Sequence, residues 1–190
     1  LGLIVLAGFL AIGTYNQLVT LRNRFKNSFA QIDVQLKRRH DLIPNLVETA
    51  KAFLTHEKST LENVTQARNV AIQANHRLAG DPANTQAMAQ VLTAESALSQ
   101  SLGRLLATVE AYPDLKSNQN MIQVSEELTA TENKIAFARQ AFNDSVTTYN
   151  TARETFPQNI IANFFNFKEA QFWEMENSSH RDVPKVNFGT

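Results

Sequence analysis

The chain has 190 residues, of which 43% are hydrophobic, and its 18 basic residues balance its 18 acidic ones. This size suits one domain, and the neutral balance excludes a global positive field that would attract nucleic acid. The absence of cysteine excludes disulfides, thiolate metal sites and cysteine nucleophiles, and six glycines with five prolines are too few for a sheet of many strands.

The first thirteen residues, LGLIVLAGFLAIG, carry no charge, which is typical of a membrane anchor. As a helix they rise about 20 Å against a hydrocarbon core of ~30 Å, so a span here needs residues ahead of Leu1. A signal-peptide core and a buried helix are the alternatives. Arg22, Arg24 and Lys26 follow the stretch and favour a cytoplasmic side. We therefore predict a single-pass anchor over residues 1–18 in the inner membrane, with the rest of the chain in the cytoplasm.

Beyond the anchor, apolar residues recur at helical spacing, which predicts an all-α body of about four long antiparallel helices over residues 19–156. The first stripe is in phase with the anchor, so the first helix is expected to leave the bilayer unbroken. Pro44 is predicted to interrupt it, with Asp41 as the cap of a second helix over about 41–79. Gly80-Asp81-Pro82 then separates the second helix from the third, with Asp81 as the cap of the third.

The third helix is predicted to end at Tyr112-Pro113-Asp114. The fourth has apolar residues at a strict interval of seven, which is typical of coiled-coil packing. Its positions are Met121, Leu128, Ile135, Phe142, Tyr149 and Phe156.

Residues 157–190 form an aromatic-rich tail. Five large aromatic side chains fall within ten positions: Phe164, Phe165, Phe167, Phe172 and Trp173. Two interpretations remain open, because the tail could fold back over one end of the helices or expose these rings to a second subunit. The second interpretation makes the five residues candidate contacts of a homo-oligomer.

A polar cluster follows the first stripe, beginning with the run KRRHD at residues 37–41. It predicts either a charged corner satisfied within the chain or a contact for anionic lipid or a partner protein. A straight first helix places Arg38 roughly 35 Å beyond Gly13, which disfavours lipid. The candidate partner or structural residues are Arg38, Arg39, Asp41, Pro44, Asn45 and Glu48.

The residues needed for catalysis are absent. None of the four histidines has a glutamate three positions before it, so the di-metal pattern of helical proteins is missing. His56-Glu57 begins like a zinc-protease helix but lacks the second histidine, and no G-x-S-x-G or glycine-rich phosphate loop exists. We expect no enzyme activity, no metal and no cofactor.

Several runs match a pattern shared by one family. They are YNQLVTLRNR at residues 15–24, AQIDVQLKRRHDLIPNLVE at 30–48, YPDLK at 112–116, TENKIA at 131–136 and YN at 149–150. On these runs the chain resembles the bacterial LemA family over nearly its whole length, with departures at residues 125–127 and at Phe142. The resemblance implies a single-pass membrane protein with a cytoplasmic bundle of long antiparallel helices and no established catalytic residue or cofactor. Members are often encoded beside membrane proteases, which implies partners in the cell envelope.

The leading hypothesis is a membrane-anchored helical scaffold that self-associates and binds envelope membrane proteins. A monomeric adaptor for one membrane protease or transporter is the first alternative. A metal-dependent enzyme is the second, and the missing ligands speak against it.

Overall fold

The computed structural model describes residues 2–174, except for the side chains of residues 3, 4 and 7. The elements are α1 Gly2–Lys51, α2 Lys58–Gly80, α3 Thr85–Glu110, α4 Pro113–Lys116, α5 Gln119–Glu154 and α6 Gln158–Phe164. No strand occurs among these residues, and the all-α prediction is confirmed. The last part of the predicted tail, residues 175–190, lies outside the described residues.

Helix α1 packs against both α5 and α2, and α2 packs against α3. Helices α1 and α5 run in opposite directions. Phe25 packs against Tyr149, whereas Arg39, further along α1, forms an ion pair with Glu132, which comes earlier in α5. Helices α1 and α2 also run in opposite directions. Lys26 forms an ion pair with Asp81, and the carbonyl of His40, further along α1, accepts a hydrogen bond from Arg68, which comes earlier in α2. Each of these pairs is therefore antiparallel.

The helical periodicity identified the inward residues well. Five of the six heptad positions of α5 are buried, and the sixth, Phe156, is exposed because α5 ends at Glu154. The residues that helical spacing turns inward in the first three predicted helices are all buried or half-buried. They are Leu18, Leu21, Phe25, Phe29, Ile32 and Leu36, then Val47, Leu54, Leu61, Val64, Ala71 and Leu78, then Val91, Leu98, Leu102, Leu105 and Val109. The core is consequently a continuous apolar seam that runs between the four long helices.

The predicted helix boundary at Pro44 is wrong. Helix α1 continues through Pro44 to Lys51, and α2 starts only at Lys58. Proline lacks the N–H that would bond to the carbonyl of His40, but the side chain of Arg68 donates to that carbonyl instead, with Nε–O at 2.6 Å. The helix tolerates the proline because the freed carbonyl has another donor. Asp41 is therefore an exposed residue inside α1 and not a cap.

The cap of α3 also differs from the prediction. Asn84 is the N-cap, and its side-chain oxygen accepts a hydrogen bond from the backbone N–H of Ala87 at 2.9 Å. Asp81 accepts from the backbone N–H of Ala83 within the connecting turn and pairs with Lys26. The Gly80 boundary itself is correct, because α2 ends there.

The amino-terminal end of α1 extends beyond the packed region. The side chains of Val5, Leu6, Phe9, Leu10 and Ile12 are between 52% and 71% exposed. Within residues 2–174, no helix contains a stretch that is both long and apolar enough to cross a bilayer. The span predicted over residues 1–18 is thus not supported by the described helices and stays a prediction.

Candidate functional site

The four basic residues at positions 37–40 lie on α1 and face different environments. Consecutive residues of a helix are separated by about 100° around the axis, so the four cannot share a face. Lys37 and Arg38 are exposed, whereas Arg39 and His40 are each only 2% exposed. Arg38 forms an ion pair with Glu127 on α5 at 3.7 Å. The run therefore divides into a surface pair and a buried pair.

Arg39 is the centre of a charged layer, which we define as Arg39, His40, Glu95 and Glu132. Its guanidinium donates to the carboxylate of Glu95 on α3 and, through Nη1, to Oε2 of Glu132 on α5 at 2.6 Å. The same Nη1 lies 3.3 Å from Ser99 Oγ. His40 Nε2 lies 2.9 Å from Glu95 Oε1, so Glu95 bonds to both buried basic residues. The layer joins three helices at one level.

The electrostatics of the layer depend on Glu95, which is completely buried. Burial by itself raises the pKa of the Glu95 carboxyl, but the hydrogen bond from His40 and the charges of Arg39 and His40 outweigh it. The pKa therefore lies below its ordinary value of 4.5. At neutral pH the layer holds a carboxylate against a guanidinium, which is the arrangement that makes a buried charge tolerable.

Pro44 affects the charged layer through the backbone of His40. The carbonyl of His40, which Pro44 leaves without a helical partner, accepts the hydrogen bond from Arg68 on α2. Side chain and backbone of His40 thus bond to two different helices, α3 and α2. All four long helices are tied together within one turn of α1.

The other predicted contact residues lie on the outside of this region. Asp41, Pro44, Asn45 and Glu48 are exposed, and Glu48 lies 3.9 Å from Lys51 on the same helix. The predicted set thus contains one buried residue, Arg39, and a group of surface residues beside it.

A second cluster lies closer to the amino-terminal end of α1. We define the aromatic layer as Phe25, Phe29, Phe142, Tyr149 and Trp173, all of them at most 3% exposed. The Phe25 ring lies 5.1 Å from Tyr149 and 6.3 Å from Phe142, and the Phe29 ring lies 6.3 Å from Trp173. Such tilted and edge-on contacts are the preferred geometries of aromatic pairs.

Two asparagines of α5 hold the following segment in place. Asn150 donates to the carbonyl of Ala170 at 2.9 Å and accepts from its N–H at 3.0 Å. Asn143 makes the same pair of bonds to Trp173, at 3.2 Å and 2.8 Å. Seven helical residues rise about 10.5 Å and three extended residues about 10 Å, so the two spacings match. We call this arrangement the asparagine clamp.

The five predicted oligomer-contact aromatics are placed in different environments. Trp173 and Phe167 are buried, and Phe172 is half-buried against the core. Phe164 is 81% exposed and Phe165 is 51% exposed. The segment folds back along the side of α5, whereas the first interpretation placed it over one end of the helices, and it leaves two of its rings on the surface.

The burial of these clusters determines whether another molecule can reach them. Arg39, His40 and Glu95 are buried away from solvent, whereas the fourth member of the charged layer, Glu132, has a side chain that is 47% exposed. A groove of about 1120 Å³ lies between α3 and residues 169–174, and its lining mixes Thr93, Ser96 and Gln100 with Phe172. In the described part of the chain, no group of three or more histidines and carboxylates is placed to bind a metal.

Sequence reasoning missed Glu95, Glu132 and Arg68, and one signal was available. Glu95 lies four residues after Val91 and three before Leu98, which is a core position of the α3 stripe. A glutamate at a core position requires a buried basic partner. Arg39 occupies the corresponding core position of α1, three residues after Leu36, so the spacing marks both residues as buried although it does not show that they pair.

The comparisons with known proteins agree on one relationship. The model of the LemA family matches residues 28–188. Magnetosome protein MamQ 2 of Paramagnetospirillum magneticum is 26% identical over 178 residues, covering 84% of this chain and 64% of the relative. Magnetosome protein MamQ of Magnetospirillum gryphiswaldense is 27% identical over 177 residues with the same coverage. Protein LemA of Metamycoplasma hominis is 23% identical over 175 residues, covering 92% of this chain and 75% of the relative. The chain thus spans slightly less than two thirds of the magnetosome relatives.

Proposed function

This chain belongs to the LemA family, and on that premise we propose that it is a membrane-anchored helical scaffold of the bacterial envelope that presents its surface to partner proteins without catalysis. Its family and its bacterial relatives indicate a membrane-associated helical protein. The observation that carries the scaffold proposal is the continuity of α1. One helix of 50 residues joins the uncharged apolar end to the charged layer.

The anchor is supported by exposure and by charge. The large apolar side chains between Val5 and Ile12 are more than half exposed, which is unfavourable in water and favourable in lipid. The first acidic residue of the chain is Asp33, whereas Arg22, Arg24 and Lys26 precede it. This bias supports a cytoplasmic position for the body beside the inner membrane.

The non-catalytic part of the proposal rests on the charged layer. Glu95 bonds to both Arg39 and His40, and Glu95 and Arg39 have at most 2% of their surface exposed. A catalytic site needs a position where a reacting atom could approach such groups. The layer instead has the properties of a structural connection that fixes the register of α1, α3 and α5.

Self-association and partner binding complete the proposal. Confinement to one membrane raises the local concentration of copies, so that even a weak contact between two copies would be populated. The alternative is a monomeric adaptor for a membrane protease or transporter. The native mass of the full chain in mild detergent separates the two, since an adaptor runs as a monomer at every concentration.

The anchor is tested by fractionation of cells that produce the full chain. We expect the chain in the membrane fraction, released by detergent but not by high salt. A Phe9→Asp, Leu10→Asp double variant should shift to the soluble fraction, because each central aspartate costs roughly 2.5–3.5 kcal/mol in a span. Phe137→Asp is the matched control, since Phe137 is 73% exposed and Phe9 is 71% exposed. An unchanged membrane fraction for the double variant would contradict the anchor.

A further inference from the structure

Exposed hydrophobic side chains are concentrated at one end of the molecule. Among the described residues, fourteen large hydrophobic side chains are exposed. Ten of these lie either in the first fifteen residues or between residues 156 and 165. A random scatter over the surface would need no explanation, but a concentration of this kind marks a contact surface.

Helix α6 has its apolar side turned outward. Ile160 and Phe164 are four residues apart and share one face of the helix, and they are 58% and 81% exposed. Ala162 is the side chain of α6 that is completely buried. A surface helix of a soluble protein has the opposite pattern, with polar side chains facing water. None of the described residues covers this face of α6.

The position of this surface identifies its environment. Tyr15 of α1 lies 4.7 Å from Phe165 and 5.6 Å from Phe167, between ring centres. Tyr15 lies within the anchor predicted over residues 1–18, three residues or about 4.5 Å before its end. The exposed rings thus lie beside α1 at the level where the proposed anchor leaves the bilayer.

The charges around the surface fit a membrane better than a protein partner. Residues 155–167 contain no charged side chain, and no acidic residue precedes Asp33. Arg22 lies over the Phe167 ring at 5.1 Å, on the side away from the anchor. An uncharged aromatic band followed by basic residues is the order found where proteins cross from the lipid interface into water.

We propose that Ile160, Phe164 and Phe165 form an interfacial collar that inserts into the headgroup region of the bilayer beside α1. The proposal rests on the membrane anchor proposed above and adds a second contact to it. A single helix leaves the body free to tilt and rotate about its axis. A collar on one side of that helix fixes which face of the body is turned toward the membrane and which faces remain open to partners.

The test uses the full chain in phosphatidylcholine vesicles with bromine on the acyl chain, either near the headgroup or near the bilayer centre. Three variants each add one tryptophan: Phe164→Trp in the collar, Phe9→Trp in the anchor and Phe137→Trp as the control. Phe137 is 73% exposed on α5, seventeen residues or about 25 Å before the end of that helix. The natural Trp173 is 3% exposed and gives a constant background, which also reports whether each variant is folded.

We expect the Phe164→Trp emission to shift to the blue and to be quenched mainly by bromine near the headgroup. The Phe9→Trp emission should be quenched mainly by bromine near the centre, and that of Phe137→Trp by neither. Quenching at position 9 without quenching at 164 would overturn the collar and leave the anchor intact. No quenching at either position would overturn both. A blue shift at 164 that grows with protein density but ignores bromine would assign the surface to a second copy and overturn the lipid contact.

Discussion

The same two helices, α1 and α5, meet in two layers of opposite chemistry. In the aromatic layer, Phe25 and Phe29 pack against Phe142 with contacts that tolerate small rotations of the rings. In the charged layer, ten residues or about 15 Å further along α1, Arg39 bonds to Glu132 and to Glu95 of α3. Burial of apolar side chains stabilises the fold but is not directional. The ion pairs depend on position, because sliding α1 by one turn would carry Arg39 about 5.4 Å away from both carboxylates. The aromatic layer packs the helices together, and we expect the charged layer to determine their register.

The largest expected effect comes from removing the carboxylate at the centre of the charged layer. Glu95→Ala leaves Arg39 and His40 buried without their shared partner, which should lower the free energy of unfolding by about 3–5 kcal/mol. Thermal and denaturant unfolding of the detergent-solubilised chain measure this loss of free energy. Glu126→Ala, at an exposed position of α5, is the control and should have almost no effect.

A double variant separates the cost of leaving one buried charge unpaired from the net contribution of the ion pair to stability. Arg39→Met combined with Glu95→Leu removes both buried charges, and most of the lost stability should return because apolar residues can replace a buried ion pair. A double variant as unstable as Glu95→Ala would mean that the layer contributes more than the cost of an unpaired charge.

The aromatic layer should respond to truncation almost as strongly. Phe142→Ala removes a completely buried ring between Phe25 and Phe29, and the loss should fall toward the lower end of about 3–5 kcal/mol because the neighbouring rings can relax. Phe137→Ala removes the same atoms from a position that is 73% exposed. Its unfolding midpoint should barely move, and equal midpoints for the two variants would contradict the assignment of the layer.

A smaller and more local effect is expected at the asparagine clamp. Asn150→Ala removes both bonds to the backbone of Ala170, which should cost about 1–3 kcal/mol. Because the clamp holds a segment of few residues, local opening should precede global unfolding. Faster hydrogen exchange at Ala170 and Trp173 would report it. Thr147→Ala, whose hydroxyl bonds only to its own helix, should leave the exchange unchanged.

Acid should weaken the charged layer before it affects the aromatic layer. Since the folded-state pKa of Glu95 is lowered, its carboxylate stabilises the fold above its ordinary value of 4.5, and this contribution is lost as the pH falls through the folded-state value. The unfolding midpoint of the wild type should therefore fall more steeply in acid than that of Glu95→Gln. Parallel curves for the two proteins would show that Glu95 does not carry the acid dependence.

The two layers also differ in how far the sequence predicted them. Helical periodicity located four of the five residues of the aromatic layer, because Phe142 and Tyr149 continue a strict interval of seven and Phe25 and Phe29 share one stripe, whereas Trp173 lies in the tail. The charged layer required pairing residues that are 56 and 93 positions apart, which no local pattern encodes. Pro44 misled the prediction for a related reason. The hydrogen bond from Arg68 that lets the helix continue comes from another helix, 28 residues away from His40 in the chain.

The smallest effect on stability is expected for the Arg38→Ala substitution. Because this variant should stay folded, it can be used to test whether the surface around Arg38 binds a partner. Its ion pair with Glu127 is 3.7 Å long, and the two side chains are 54% and 39% exposed. Exposed pairs of this kind contribute about 0–1 kcal/mol, so Arg38→Ala should unfold almost like the wild type. If the surface formed by Arg38, Asn45 and Glu48 binds an envelope protein, the same substitution should reduce crosslinking to that protein in intact cells. Arg104→Ala, on the exposed face of α3, is the matched control for loss of one surface arginine. Equal crosslinking patterns for both variants and the wild type would leave this surface without a binding role and limit the region to its buried, register-fixing residues.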